Sequence, residues 1–197
     1  SYVTGSQVVG QGGWEEWGAG AGALVSDAQA LSAPNSIDVL GATDLVHQYD
    51  GYTAGQWTYT AWCYVPDDFV GESYFILLNT YGVTNNWSVQ VRLDSALGVV
   101  ESEFETAQLP LVTGEWMELR AEIDLDLDIV DLYYGGALLS SKSWTEGVSG
   151  GGALNIAAVD LFANGATSVY YDNMSLVPEP ASACLIALGA LVMRRRR

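Results

Sequence analysis

The sequence predicts an all-β fold, an antiparallel two-sheet sandwich, for residues 1–176. Three observations predict it. Apolar and polar residues alternate through most segments, the period of a half-buried strand. No stretch of these residues keeps a helical apolar period for three turns. The chain also holds 22 glycines, and turn signals part the short runs at fairly regular spacing, the pattern of sandwiches.

The elements follow in order. Leu45-Val46-His47-Gln48-Tyr49 is strand-like and holds the single histidine. From Gln56 to Val65, residues Trp57, Tyr59, Ala61 and Cys63 fall on one face, with Thr58, Thr60, Trp62 and Tyr64 on the other. Pro66-Asp67 stops that run. Ser73 to Leu78 is a further strand. Trp87, Val89, Val91 and Leu93 alternate with Ser88, Gln90, Arg92 and Asp94. Glu101, Glu103 and Glu105 alternate with Ser102, Phe104 and Thr106, which sets three glutamates on one face. Trp116 to Asp124, Ile129 to Tyr134, the turn Gly135-Gly136 and Ala137 to Ser141 read as a meander. Leu154 to Phe162 and Ser168 to Leu176 close the series. The one boundary falls at Val177-Pro178.

The 197 residues suffice for one domain and a tail. A chain this long buries roughly 70% of its unfolded surface and needs no disulfide or metal staple. Hydrophobic residues make up 49% and charged residues 16%, which excludes a disordered chain. Residues 1–176 hold 23 of the 24 acidic groups and only three basic ones, Arg92, Arg120 and Lys142, a net charge of −20. Such a body repels nucleic acid, attracts cations and stays in solution. Cys63 lies in a strand-like run and Cys184 in an apolar tail, so no bridge between them is expected and Cys63 reads as a small buried hydrophobe. No basic-then-apolar leader precedes Ser1, which does not argue against export, since a mature or trimmed chain would lack its signal peptide.

The tail reads Val177-Pro178-Glu179-Pro180, then a largely apolar run of 13 residues from Ala181 to Met193, then Arg194, Arg195, Arg196 and Arg197. As a helix the apolar run spans about 20 Å, against a hydrocarbon core of ~30 Å. The basic cluster would stay on the cytoplasmic side. Residues 177–197 resemble the bacterial PEP-CTERM sorting signal, which joins a Val-Pro-Glu-Pro box, a short transmembrane segment and terminal arginines in this order. The apolar run is shorter than the family's. The resemblance implies an exosortase as partner, transient membrane anchoring by the C-terminus, delivery to the cell envelope or beyond, and a bacterium that makes extracellular polysaccharide. A plain C-terminal anchor is the alternative; both place the body outside the cytoplasm.

A second resemblance lies in the body. Trp116-Met117-Glu118-Leu119-Arg120 continues through Ala121 to Asp124, an acidic turn, and Val130-Asp131-Leu132-Tyr133-Tyr134-Gly135-Gly136. This resembles the hairpin of concanavalin A-like and laminin G-like jelly rolls, with Gly135 in place of the usual polar turn residue. Val169-Tyr170-Tyr171-Asp172-Asn173-Met174-Ser175-Leu176 resembles their last strand. The resemblance spans about residues 8–176 and implies a jelly-roll sandwich, with a short hydrophobic helix following in the tail. Those domains include lectins, carbohydrate-binding modules, glucanases and modules without a ligand, so function rests on the sites.

Each candidate site has two readings. Glucanases of this fold carry Glu-x-Asp-x-Glu on one strand, and Glu122-Ile123-Asp124-Leu125-Asp126 comes close. Its third acid is Asp126, however, and the hairpin puts Asp126 and Asp128 in or near a turn, where Asp is favoured for backbone reasons. No catalytic residue is therefore assigned. Glu101, Glu103 and Glu105 read as a solvated face, and His47 as a strand histidine with satisfied hydrogen bonds. One histidine and two separated cysteines make no zinc site, and Gly150-Gly151-Gly152 precedes a strand, so it is a flexible connection and no phosphate loop. The jelly-roll resemblance offers Asp172 as a ligand of one structural calcium; otherwise it pairs with backbone at the sheet end. Trp14, Trp17 and Trp144 are candidate glycan-stacking residues, with core packing as the other reading of the first two; Trp57, Trp87 and Trp116 read as core. The expectation is an exported, non-catalytic, lectin-like surface or matrix protein that binds polysaccharide and requires no cofactor. The alternatives are an exported glucan hydrolase and a structural surface module without a small ligand.

Overall fold

A computed structural model of the protein describes residues 2–18 and 22–179. Among them there is no helix; fourteen strands form two antiparallel sheets of seven. Sheet I runs, edge to edge, β12 (Ala137–Ser143), β11 (Ile129–Tyr134), β10 (Trp116–Asp124), β5 (Gln56–Tyr64), β14 (Ala166–Pro178), β3 (Ser36–Gly41) and β2 (Leu24–Ser26). Sheet II runs β1 (Trp14–Glu16), β4 (Asp44–Gln48), β13 (Ala158–Asn164), β6 (Glu72–Thr80), β7 (Asn86–Asp94), β8 (Val99–Ser102) and β9 (Gln108–Pro110).

The period-two pattern builds the core between the sheets. Tyr59, Ala61 and Cys63 of β5, Leu119, Ala121 and Ile123 of β10, and Val169 and Tyr171 of β14 are buried on one side. They meet Leu45, Phe75, Leu77, Val89, Val91, Leu93, Val159 and Leu161 of sheet II. Burial pushes the Cys63 thiol up to about 12, the behaviour of a small hydrophobe. The connection before β6 crosses the β13–β14 turn closely. Gly71 has φ +96°, and a Cβ there would lie 2.3 Å from the Gly165 carbonyl oxygen, so no other residue fits.

Three expectations need correction. The glutamate alternation does not form one strand: β8 ends at Ser102, and Phe104, with φ 67°, turns the chain. Glu101 is then 7% exposed and bonded to Arg92 rather than solvated, while Glu105 accepts from Ser140 of sheet I. Second, the last strand passes the expected boundary. Val177 and Pro178 pair with Thr58 and Trp57, and the Glu179 N–H donates to the Gln56 carbonyl at 3.0 Å. The first two residues of the expected sorting box therefore belong to sheet I, and the third is hydrogen-bonded to it. Third, Trp144 is completely buried, with its Nε1–H donating to the Asn155 carbonyl at 2.9 Å, and it presents no face to a ligand. The helix expected after Pro180, Cys184, and Arg194 to Arg197 lie outside the described residues.

Candidate functional site

Alternate residues of sheet II point away from the core, and the register sets them in rows across the strands. One row reads Gln48, Ala158, Leu78, Trp87. The next reads Glu15, Val46, Asp160, Ile76, Gln90. A third reads Asp44, Phe162, Tyr74, Arg92, Glu101, Gln108. A fourth holds Asn164, Glu72, Asp94 and Val99.

The middle of this outer face is apolar. Val46, Ile76, Leu78, Ala158 and Tyr74 are buried although they point away from the main core, because Trp17, Tyr81, Trp87 and Phe162 pack over them. The chain leaving β1 crosses the face, held by the Trp17 N–H donating to the Asp44 carbonyl at 3.0 Å. The Trp17 indole then stacks on Trp87, centroids 5.7 Å apart and planes at 16°, and meets Tyr81 edge-on at 5.2 Å. All three rings remain partly exposed.

Polar groups flank the rings. On one side stand Asp44 and Asp160, neighbours on adjacent strands, whose carboxyls hydrogen-bond to each other. Burial first, then the Asp44 charge, raises the Asp160 carboxyl well above the ordinary range; burial likewise raises Asp44. Tyr81, beside Glu15, is pushed up to about 12 by burial and then by that carboxylate. On the other side Arg92 donates to Glu72 at 2.9 Å and to Glu101 at 2.6 Å, with Asp94 at 3.6 Å. The Tyr74 hydroxyl donates to Glu72 at 3.0 Å, the Gln108 amide to Glu101 at 2.9 Å, and Gln90 to Glu103. Half-exposed rings beside fixed carboxylates and amides can hold a sugar by its two chemistries, C–H faces on aromatics and hydroxyls on acceptors.

The other candidates fall elsewhere. A hollow of about 420 Å³ at one end of the sandwich brings Trp14 and Asp172 together with His47, Tyr49 and Asn35. Trp14 is 8% exposed and stands edge-on to His47 at 5.3 Å, so its ring is packing and no platform. His47 Nε2 bonds the Gly12 carbonyl at 3.1 Å, while its buried Nδ1 has no partner among the described residues, so it is only half satisfied. Asp172 accepts from the Leu31 and Ser32 N–H groups, each at 2.8 Å, from the Ser32 hydroxyl at 3.1 Å and from the Asn173 N–H at 2.7 Å. Those donors fill the carboxylate, and among the described residues no three His, Cys, Asp or Glu side chains gather to hold an ion. The residues present do not form a calcium cage; Asp172 fastens the loop before β3 to the middle of β14, where the register shifts.

Of the glucanase-like acids, Glu122 and Asp124 line a hollow of about 370 Å³ on the outer face of sheet I. Glu122 pairs with Arg120. Asp124 caps the turn, accepting from the Asp126 N–H at 3.0 Å and the Leu127 N–H at 2.9 Å, and Asp126 accepts from the Gly55 N–H at 3.0 Å. Asp126 thus lies in the turn, off the strand that carries Glu122 and Asp124.

Of the candidate tryptophans, Trp17 alone joins the face. Trp87, expected in the core, is its stacking partner. Tyr81, Asp44, Asp160 and Arg92 were missed. Asp160 carried a signal: one acid inside the apolar run Ala157-Ala158-Val159-Asp160-Leu161-Phe162 must be desolvated wherever that strand lies.

No protein-family model matches the chain, and no curated protein matches it by sequence. Solved structures match its shape. The carbohydrate binding module CBM66 from Bacillus subtilis superposes with a TM-score of 0.56 at 12% identity, covering 89% of this chain and 99% of that one. The fold is a jelly-roll sandwich. The cellulose induced protein Cip1 gives 0.55 at 14% identity over 79% of this chain and 84% of its own. A sialidase gives 0.60 at 7% identity over 89% of this chain, which spans only 18% of that enzyme's length. At these identities the likeness concerns the fold.

Proposed function

We propose that the protein is an exported bacterial surface or matrix module whose jelly-roll body binds polysaccharide through the outer face of sheet II. The observation that carries this is the Trp17–Trp87–Tyr81 cluster, partly exposed aromatic rings set among hydrogen-bonding side chains on one sheet face. That a carbohydrate binding module shares the fold adds support. Export, membrane anchoring and handling by an exosortase rest on the resemblance of residues 177–197 to a sorting signal.

Catalysis is the second reading, and the Asp44–Asp160 pair is what favours it, since glycosidases use two carboxyls with separated protonation. Retaining enzymes hold the two about 5–5.5 Å apart and inverting ones farther, with the sugar carbon between. Carboxyls that hydrogen-bond to each other leave no room for it, so binding is the better account.

The test is a glycan array on the intact chain, followed by titration of the best ligand. Trp17→Ala and Trp87→Ala should each weaken binding about tenfold, the equivalent of about 1.4 kcal/mol. Trp116→Ala, on sheet I, should leave it unchanged. Undiminished binding by both sheet II variants would overturn the assignment.

A further inference from the structure

We propose that this face is built for a cationic amino-sugar polymer, with a sugar ammonium seated at the Asp44–Asp160 carboxyl pair. The inference rests on the glycan reading above and adds the charge of the sugar. Its starting point is a shortage of donors. Asp160 is 2% exposed, and apart from the bond that the two carboxyls share, neither its Oδ1 nor the buried Oδ1 of Asp44 has a hydrogen-bond partner among the described residues. Both point to the outer face by register, between Val46 and Phe162, with Glu15 on the neighbouring strand and Tyr81 close by. Apart from the Leu45 backbone N–H on Asp160, each has only the other carboxyl, and two carboxyls without a countercharge repel once both are ionised.

The body cannot supply that countercharge. Its three basic side chains are engaged elsewhere: Arg92 with Glu72 and Glu101, Arg120 with Glu118 and Glu122 on sheet I, and Lys142 with Glu105. The rows of the face carry Glu15, Asp44, Glu72, Asp94, Glu101 and Asp160 against Arg92 alone, so a polyuronate would be repelled. An ammonium fits the deficit. It is a compact charge with three donors, enough for one bond to each aspartate and one to spare. A bare metal ion fits worse, because no third carboxylate, histidine or cysteine among the described residues completes a cage. The adjoining Trp17, Trp87 and Tyr81 rings add what a simple amine would not use, a surface for the sugar ring that carries the ammonium.

The experiment titrates the full chain at about pH 6, where an amine of pKa about 7.7–8 is protonated. The probes are a glucosamine hexamer, its fully N-acetylated counterpart, a uronate hexamer and a lysine hexamer, at low and at moderate salt. The glucosamine hexamer should bind at least tenfold more tightly than the acetylated one, and the uronate and lysine hexamers should not bind measurably. Asp44→Asn and Asp160→Asn should each bring the glucosamine hexamer down to the level of the acetylated one. Thermal melts of both variants show that they fold. Glu115→Gln removes one charge from an exposed site elsewhere and should change binding less than twofold. Equal affinity for the two glucosamine forms overturns the ammonium seat, as does a Glu115→Gln loss as large as that of Asp44→Asn. A lysine hexamer that binds as well and depends on Asp44 also overturns it, in favour of a peptide ligand. If the acetylated sugar binds and only Trp17→Ala abolishes it, the seat fails and the glycan face stands. If no sugar binds, both fail.

Discussion

Trp144→Ala removes a side chain that is fully enclosed, in the connection that leaves β12. The site has little freedom to collapse. The Trp144 N–H donates to the Asp128 carbonyl at 3.2 Å, and the Asp128 carboxylate accepts from the Thr145 N–H and hydroxyl, each at 2.8 Å, and from the Ser143 hydroxyl at 2.9 Å. A cavity therefore persists, and buried Trp→Ala changes of this kind cost about 3–5 kcal/mol. The Asn155 carbonyl also loses its donor, a further loss of about 1 kcal/mol. At about 2–4 °C per kcal/mol for a chain of this size, Tm should fall by roughly 8–24 °C. Trp144→Phe keeps most of the bulk and orphans the carbonyl, so it should cost only about 1–3 kcal/mol. Urea unfolding at constant m-value measures both, and sugar affinity of the folded fraction is read in parallel. An alanine variant that melts within about 2 °C of the parent but loses the sugar would put Trp144 at the surface and refute the reasoning.

Three other outcomes follow from the same geometry. Asp160 holds its proton above the ordinary carboxylate range in the folded state, so ionisation of the unfolded chain erodes stability as pH rises from that range towards the raised folded value. Asp160→Asn should therefore be indistinguishable from the parent near pH 3.5 and increasingly more stable towards pH 7, Glu15, Asp44 and Tyr81 being the ionisable groups that face it; a flat difference in paired urea titrations would disprove this. Gly71→Ala should destabilise by more than ~1 kcal/mol, since φ +96° disfavours a side chain and the Cβ would meet the Gly165 carbonyl at 2.3 Å; an unchanged melt would contradict the close crossing. A chain ended after Leu176 should melt lower than one ended after Glu179, because it loses the Val177, Pro178 and Glu179 ladder to β5, about 1 kcal/mol for each hydrogen bond lost; equal melts would restore the boundary at Leu176.

Much of the fold was legible because period two and turn chemistry are local. β10 and β11 begin and end at the residues expected, and the Gly135-Gly136 turn falls between β11 and β12, both glycines at positive φ. The three-glutamate strand failed at one residue, Phe104, whose left-handed backbone no side-chain pattern announces. Trp87 was misplaced for a different reason. Alternation says which residues share a face and leaves open whether that face is covered, and the chain leaving β1 covers this one with Trp17. Strand β6 shows the limit plainly: residues 73–79 are all buried, so its two faces cannot be told apart from sequence. Trp144 looked like a loop residue because its burial depends on a connection closing over the sandwich, a long-range event.

The acid-rich hairpin of sheet I and the outer face of sheet II differ in what they leave unpaired. Along β10, β11 and the turn between them each charged side chain has a local partner, although on β3 of the same sheet the buried Asp38 Oδ1 has none among the described residues. Arg120 meets Glu118 and Glu122 and lies 4.1 Å from the Tyr133 ring centroid; Asp131 accepts from Ser141, and Asp124 from Gln56. A ligand there must break those bonds to form its own, and exchange of this kind gains little. On sheet II the single guanidinium is held at one end by Glu72 and Glu101, and the aspartate pair at the other end is short of donors beside rings that are partly exposed. A buried acceptor without a donor is costly, so a ligand that supplies one regains that cost in addition to its own contacts. The same reasoning explains why the acid-rich hairpin that resembles a glucanase strand is the less productive place to look, and why charge, more than shape, should govern which sugar this jelly roll retains.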